Sequence, residues 1–202
     1  MYKVLVIGDV RVGKTSFVHR FVNNTFKENY KVTLGVDFAL KTLELSDGQA
    51  LKLQLWDIAG HERATSMTRV YYKGASACVL MFDVTDPETF QSCTKWKQDL
   101  DAKVFLADQN PIPCLLLANK SDLVNERKVS DQDIKRFVKD ADFVGWKLCS
   151  VKNNEGLEDG MKFLTTRMLQ RCKAITMTAQ DTVLSLESDG ENRSNSCCRS
   201  NQ

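Results

Sequence analysis

Gly8-Asp9-Val10-Arg11-Val12-Gly13-Lys14-Thr15 stands between the apolar run Tyr2-Lys3-Val4-Leu5-Val6-Ile7 and an amphipathic stretch from Lys14 to Val22. It fits G-x-x-x-x-G-K-[ST] in the setting that gives the pattern its meaning, directly after a strand and opening a helix. Gly8 and Gly13 let the backbone wrap an anion, so that its N–H groups and the helix N-terminus point at the charge. Lys14 then reaches the β- and γ-phosphates of a nucleotide, and the Thr15 hydroxyl ligates Mg²⁺. A strand feeding a phosphate loop feeding a helix is the opening unit of an α/β fold.

The rest of the chain continues the alternation. Candidate strands are Lys3–Ile7, Asp37–Leu45, Leu51–Asp57, Ser76–Asp83, Cys114–Asn119 and Trp146–Ser150. The second and third alternate in polarity and are joined by Ser46-Asp47-Gly48-Gln49, a hairpin signal. Ala77–Phe82 and Cys114–Ala118 are apolar nearly throughout, as expected of strands covered on both faces. Helical patterns lie at Lys14–Val22, Met67–Lys73, Thr89–Phe105, Asp131–Asp140 and Gly156–Cys172. The expected architecture is a P-loop nucleotide-binding domain: a six-stranded, mostly parallel sheet with one antiparallel edge strand and helices on both faces. It spans residues 1–172.

A phosphate loop alone selects a nucleotide, not a base. Asp57-Ile58-Ala59-Gly60 closes the third strand, where Asp57 can hold the magnesium shell and Gly60 can meet the γ-phosphate through its N–H. Asn119-Lys120-Ser121-Asp122 follows the buried strand around Leu115–Leu117. There a carboxylate can accept from guanine's N1–H and 2-amino group. Adenine offers no such donors and would leave Asp122 unpaired, which argues against an ATPase or small-molecule kinase. Cys149-Ser150-Val151-Lys152 ends the last strand, and its loop can offer a backbone N–H to guanine O6.

Composition agrees with this and excludes several alternatives. The 202 residues are 43% hydrophobic, enough for a sizeable core. A formal charge of +2 gives no reason to propose nucleic acid as a partner. No apolar run approaches the roughly 20 residues that span a bilayer. The N-terminus reads as a strand rather than a signal peptide, so the fold is expected to begin almost at residue 1, in the cytosol. Cys78, Cys93, Cys114, Cys149 and Cys172 are scattered, several in apolar runs, and fit a reduced compartment with no zinc spacing.

With these motifs in place, the chain resembles the Ras superfamily and, within it, the Rab family of membrane-traffic GTPases, over roughly residues 2–172. Rab-like stretches are Thr33-Leu34-Gly35-Val36-Asp37-Phe38, Trp56–Arg63 and Tyr71-Tyr72-Lys73-Gly74. A narrower likeness is to the subgroup serving melanosomes and other lysosome-related organelles. It rests on Val36-Asp37-Phe38-Ala39-Leu40-Lys41, on Ile58 where most Rabs have Thr, on Met67-Thr68-Arg69-Val70-Tyr71-Tyr72-Lys73 and on Trp96–Val104.

The resemblance implies roles at matching positions. Thr33 is the switch I threonine that closes on magnesium and the γ-phosphate, and Phe26 stacks on guanine. The nucleotide set is then Val10, Arg11, Val12, Gly13, Lys14, Thr15, Ser16, Phe26, Tyr30, Thr33, Gly60, Asn119, Lys120, Asp122, Leu123, Ser150, Val151 and Lys152. Thr15, Thr33 and Asp57 serve the metal. Phe38, Trp56 and Tyr71 form an aromatic effector surface, with core packing the competing reading for Trp56. The implied partners are a nucleotide exchange factor, a GTPase-activating protein and effectors that read the switches of a monomer.

Two departures bear on turnover, for which His61, Lys14, Thr33 and Gly60 form the catalytic set. His61 follows Gly60, where the family has the Gln that orients the attacking water. Val10 and Arg11 replace glycines of Ras itself. A third, milder change is Ala64, where the family usually has Phe after Glu62-Arg63. Either hydrolysis is slow, or the protein is a non-hydrolysing GTP-bound scaffold, or His61 is a neutral position in a mobile loop; imidazole can still hydrogen-bond water.

From Lys173 the composition turns to Thr, Ser, Asn, Asp and Glu, so residues 173–202 are expected to be a disordered hypervariable tail. Cys197-Cys198 resembles the paired prenylation cysteines of Rabs, though four residues follow it and it is not C-a-a-X. Three basic residues (Lys173, Arg193, Arg199) against four acidic ones (Asp181, Glu187, Asp189, Glu191) make no polybasic patch. Stable anchoring then needs a lipid on each cysteine. The expected location is the cytoplasmic face of endosomal, lysosomal or lysosome-related organelle membranes; two idle thiols are the competing reading.

Overall fold

The computed structural model describes residues 1–27, 32–45, 48–61 and 67–191, and the side chains among them apart from those of Met67 and 178–191. Strands β1 (Tyr2–Ile7), β2 (Val36–Glu44), β3 (Ala50–Ile58), β4 (Ala77–Asp83), β5 (Cys114–Asn119) and β6 (Gly145–Leu148) form one sheet in the order β2-β3-β1-β4-β5-β6. Among the described strands of the sheet only β2 and β3 pair antiparallel, with Phe38 opposite Trp56. Their turn places Gly48 N–H on Leu45 O at 2.9 Å and Leu45 N–H on Gln49 O at 2.9 Å; Ser46 and Asp47 lie outside the described residues.

Helices α1 (Lys14–Asn23), α2 (Met67–Tyr72), α3 (Pro87–Lys103) and α4 (Asp131–Asp140) lie between successive strands, and α5 (Leu157–Glu191) follows β6. Every residue of β4 and β5 is buried, the outcome expected of strands covered on both faces. Leu5, Ile7, Leu80, Phe82 and Leu116 join Trp96 and Leu100 of α3 in one apolar cluster. α3 starts earlier than the apolar pattern implies because Asp86 caps it, accepting from Glu88 N at 3.1 Å with Pro87 in the first turn.

The chain leaves β1 toward β3 on one side and β4 toward β5 on the other. Their carboxyl ends therefore flank a crevice where connections diverge, the place where open α/β sheets bind ligands. Gly8, Asp57, Asp83, Asn119 and Ser150 all lie at carboxyl ends of strands or just beyond them.

Met1–Met168 forms one compact unit and Leu169–Gln202 a second. The helix expected to end at Cys172 runs to Glu191. The segment has no Pro and no Gly before Gly190, and Ala174, Met177, Ala179, Leu184 and Leu186 are good helix formers that its polar composition masked. Among the described residues no helix is long and apolar enough to cross a membrane.

Candidate functional site

Gly13 precedes α1 in the left-handed region (φ 100°), where a Cβ would also collide with the Asn119 amide. No side chain caps α1, so the N–H groups of its first turn face the loop. Lys14 is buried and folds its ammonium back onto Gly8 O and Asp9 O, both at 2.8 Å. Burial pushes that ammonium down to about 8, against the pull of Asp57 and Asp9. The Asp9 carboxylate is itself held by Trp96 Nε1 of α3 at 2.7 Å.

Three oxygens meet beside this loop. Thr15 Oγ1 lies 2.7 Å from Thr33 Oγ1 and donates to Asp57 Oδ2 at 2.5 Å, while Thr33 Oγ1 is 3.5 Å from the same oxygen. Asp57 is 2% exposed, and its Oδ1 has no hydrogen-bond partner among the described residues. Burial raises its carboxyl above the usual range, opposed by the Thr15 hydroxyl and the Lys14 charge. A buried carboxylate with an orphaned oxygen beside two hydroxyls is a donor set that suits a hard divalent cation. Gly60 packs so closely on Asp9 and Val10 that no Cβ fits, and His61 after it is exposed.

At the other end of the crevice, Asn119 Nδ2 donates to Val12 O at 2.8 Å and Asn119 Oδ1 accepts from Val151 N at 3.1 Å. Its amide thus ties the phosphate loop to the loop after β6. Ser150 Oγ donates to Asp122 Oδ1 at 2.6 Å and accepts from Asn153 N at 3.0 Å, which orients the Asp122 carboxylate. Lys120 adopts a left-handed conformation (φ 69°) and ion-pairs with Asp83, whose other oxygen accepts from Thr85. Leu123 N–H closes a turn on Lys120 O at 3.0 Å. Phe26 is half-buried under the Arg20 guanidinium of α1.

The aromatic surface divides. Phe38 is 61% exposed and stacks on Trp56 with centroids 6.1 Å apart. Trp56 and Tyr71 are half-buried against the apolar cluster, so Trp56 is both core and surface. Lys3 Nζ sits 3.5 Å above the indole centroid. Val32, Leu34 (87% exposed), Leu40 and Val70 add exposed apolar area. Sequence reasoning missed Arg20, Asp83 and the Asp9–Trp96 pair. Tyr30, Cys197 and Cys198 lie outside the described residues.

Sheet order and these contacts together define a P-loop α/β fold in which Asn119 links the loop before α1 to the loop after β6. The Ras family model matches residues 3–170. The chain is 52% identical to the Ras-related protein Rab-7L1 of Rattus norvegicus over 179 residues, covering 89% of this chain and 87% of that one. It is 48% identical to Rab-7L1 of Homo sapiens over 200 residues (98% and 97%), and 46% identical to Rab-32 of Homo sapiens over 169 residues (84% and 75%). The chain belongs to the Ras family, as a Rab-type small GTPase related to the lysosome-related-organelle subgroup. It is a nucleotide-dependent switch of vesicle traffic and organelle biogenesis, of a family that binds GTP and GDP, hydrolyses GTP and works with exchange factors, activating proteins and effectors at membranes.

Proposed function

We propose that residues 1–172 hold GTP or GDP with Mg²⁺ and that intrinsic hydrolysis is slow. The observation that carries the metal site is the Thr15–Thr33–Asp57 cluster with its unpartnered Asp57 oxygen. Those three residues would hold the ion, which when bound neutralises charge on the β- and γ-phosphates. Lys14 and the N–H groups of Val10–Ser16 bind the phosphates, with Arg11 shaping the loop through its left-handed backbone (φ 63°). Asp122 accepts from the guanine edge, Phe26 stacks on the base, Tyr30 belongs to the same nucleotide set, and Asn119, Lys120, Leu123 and Ser150–Lys152 complete the pocket.

Hydrolysis needs a water in line with the γ-phosphorus as the bond to the β-phosphate oxygen breaks. Thr33 and Gly60 meet the γ-phosphate, and His61 must orient the water. An exposed imidazole is a poorer guide than a glutamine amide, and the Val10 backbone packs on Gly60, so a valine side chain there adds bulk that a glycine would not. In single-turnover assays His61→Gln, with or without Val10→Gly, is expected to raise the rate about tenfold or more. A parent as fast as both variants sinks the slow-switch reading; a parent with no turnover even beside an activating protein favours the scaffold reading.

Phe38, Trp56 and Tyr71 meet effectors in the GTP state, and the protein works as a monomer. Cys197 and Cys198 in the tail 173–202 carry isoprenoids that hold it on endosomal, lysosomal or lysosome-related organelle membranes. Intact-mass analysis of protein taken from native membranes should show two added isoprenoid chains; unmodified mass removes the anchor.

A further inference from the structure

We propose that Arg20 is a positioning residue for guanine recognition, acting from outside the pocket on the loop that reads the base. Arg20 sits in the last turn of α1, the helix whose first turn faces the phosphate loop. Its Nε donates to Val151 O at 3.1 Å, its Nη2 to Lys152 O at 2.9 Å and its Nη1 to Asn24 O at 3.2 Å. The guanidinium carbon lies 5.5 Å from the Phe26 ring centroid. One planar fork thus holds two successive carbonyls and one wall of the base site, a geometry that a lysine cannot reproduce.

The consequence follows from the planar trans peptide, in which C=O and the next N–H point in opposite directions. Holding Val151 O and Lys152 O toward α1 turns the N–H groups of Lys152 and Asn153 the other way. The second of these ends on Ser150 Oγ at 3.0 Å, and Ser150 donates to Asp122 at 2.6 Å. The pull of Arg20 is therefore relayed to the carboxylate that selects guanine, while Asn119 holds the same loop from inside through Val151 N. Asn24, in its left-handed cap (φ 52°), is fixed to the loop as well by Asn154 at 3.3 Å.

This rests on the guanine-binding reading and is tested by release of GDP and of IDP, which lacks the 2-amino group, from the full chain. Arg20→Ala is expected to speed GDP release by about 10- to 100-fold, the worth of one or two charge-assisted hydrogen bonds. Because Asp122 loses its orientation, the preference of GDP over IDP should fall by about threefold or more, with the GTP-to-GDP affinity ratio unchanged. Arg20→Lys should fall between, and carries the same comparison if the alanine variant does not fold. GDP release within about twofold of the parent, or GDP and IDP release sped by one common factor, overturns the proposal. A parent that binds neither nucleotide overturns the underlying reading instead, before any variant is made.

Discussion

Asn119→Ala is expected to lower unfolding stability by about 3–5 kcal/mol and to abolish retention of GDP through gel filtration. The side chain is 3% exposed and both its polar atoms are used within the protein. Truncation leaves Val12 O and Val151 N without partners in a buried place, each orphan costing about 1–3 kcal/mol. It also opens space beside Gly13, whose missing Cβ is what lets the Asn119 amide approach. The phosphate loop and the base loop would then move independently, so the affinity loss should exceed what one direct contact to the base supplies. Urea unfolding of the nucleotide-free protein checks the first part, and nucleotide content after gel filtration the second. Asn119→Asp separates geometry from volume: it keeps the size but sets an acceptor against Val12 O, and is expected to be no better than alanine. A stability loss below about 1 kcal/mol for both variants would reduce Asn119 to a contact of the ligand alone.

Much of this frame is readable from local pattern. The phosphate loop fixes a strand before it and a helix after it, and β1 and α1 fall there. The two wholly apolar runs became the wholly buried strands β4 and β5, and the hairpin signal became the one antiparallel pair. What could not be read is the set of side chains that brace the site across the sheet. Arg20 meets Val151 across 131 positions and Asp9 meets Trp96 across 87, and neither partner carries a signal that names the other. The motif gives Asn119 an expected place beside the base, whereas its use as a tie between loops depends on how closely Gly13 and Val151 approach in the fold. The end of α3 that was missed had a local cue, Asp86-Pro87-Glu88, which an apolar count does not weigh. The length of α5 was misjudged because composition stood in for propensity: a polar segment free of proline can still propagate a helix.

Asp57→Asn should move stability and nucleotide affinity in opposite directions. Burial raises the Asp57 carboxyl, so the folded chain holds that proton more tightly than the unfolded one. Its stabilising contribution is full below the ordinary carboxylate range and is lost as pH rises through the raised value, beyond which the buried group is ionised. Asparagine removes that charge while its amide oxygen can still accept from Thr15 in the place of Oδ2, which accepts at 2.5 Å now. Without nucleotide, at pH above the Asp57 titration, the variant is therefore expected to be the more stable, and the loss of stability as the pH rises through that titration should disappear. With nucleotide the order reverses. The orphaned Oδ1 supplies an anionic ligand that an amide nitrogen cannot replace, so chelating Mg²⁺ should speed GDP release at least about tenfold in the parent and little in the variant. Chemical denaturation of the nucleotide-free proteins and GDP release with and without EDTA read the two halves separately. A variant that is less stable when empty would mean that the carboxylate is already compensated within the fold; one that keeps the full response to EDTA would place the metal elsewhere than on Thr15, Thr33 and Asp57.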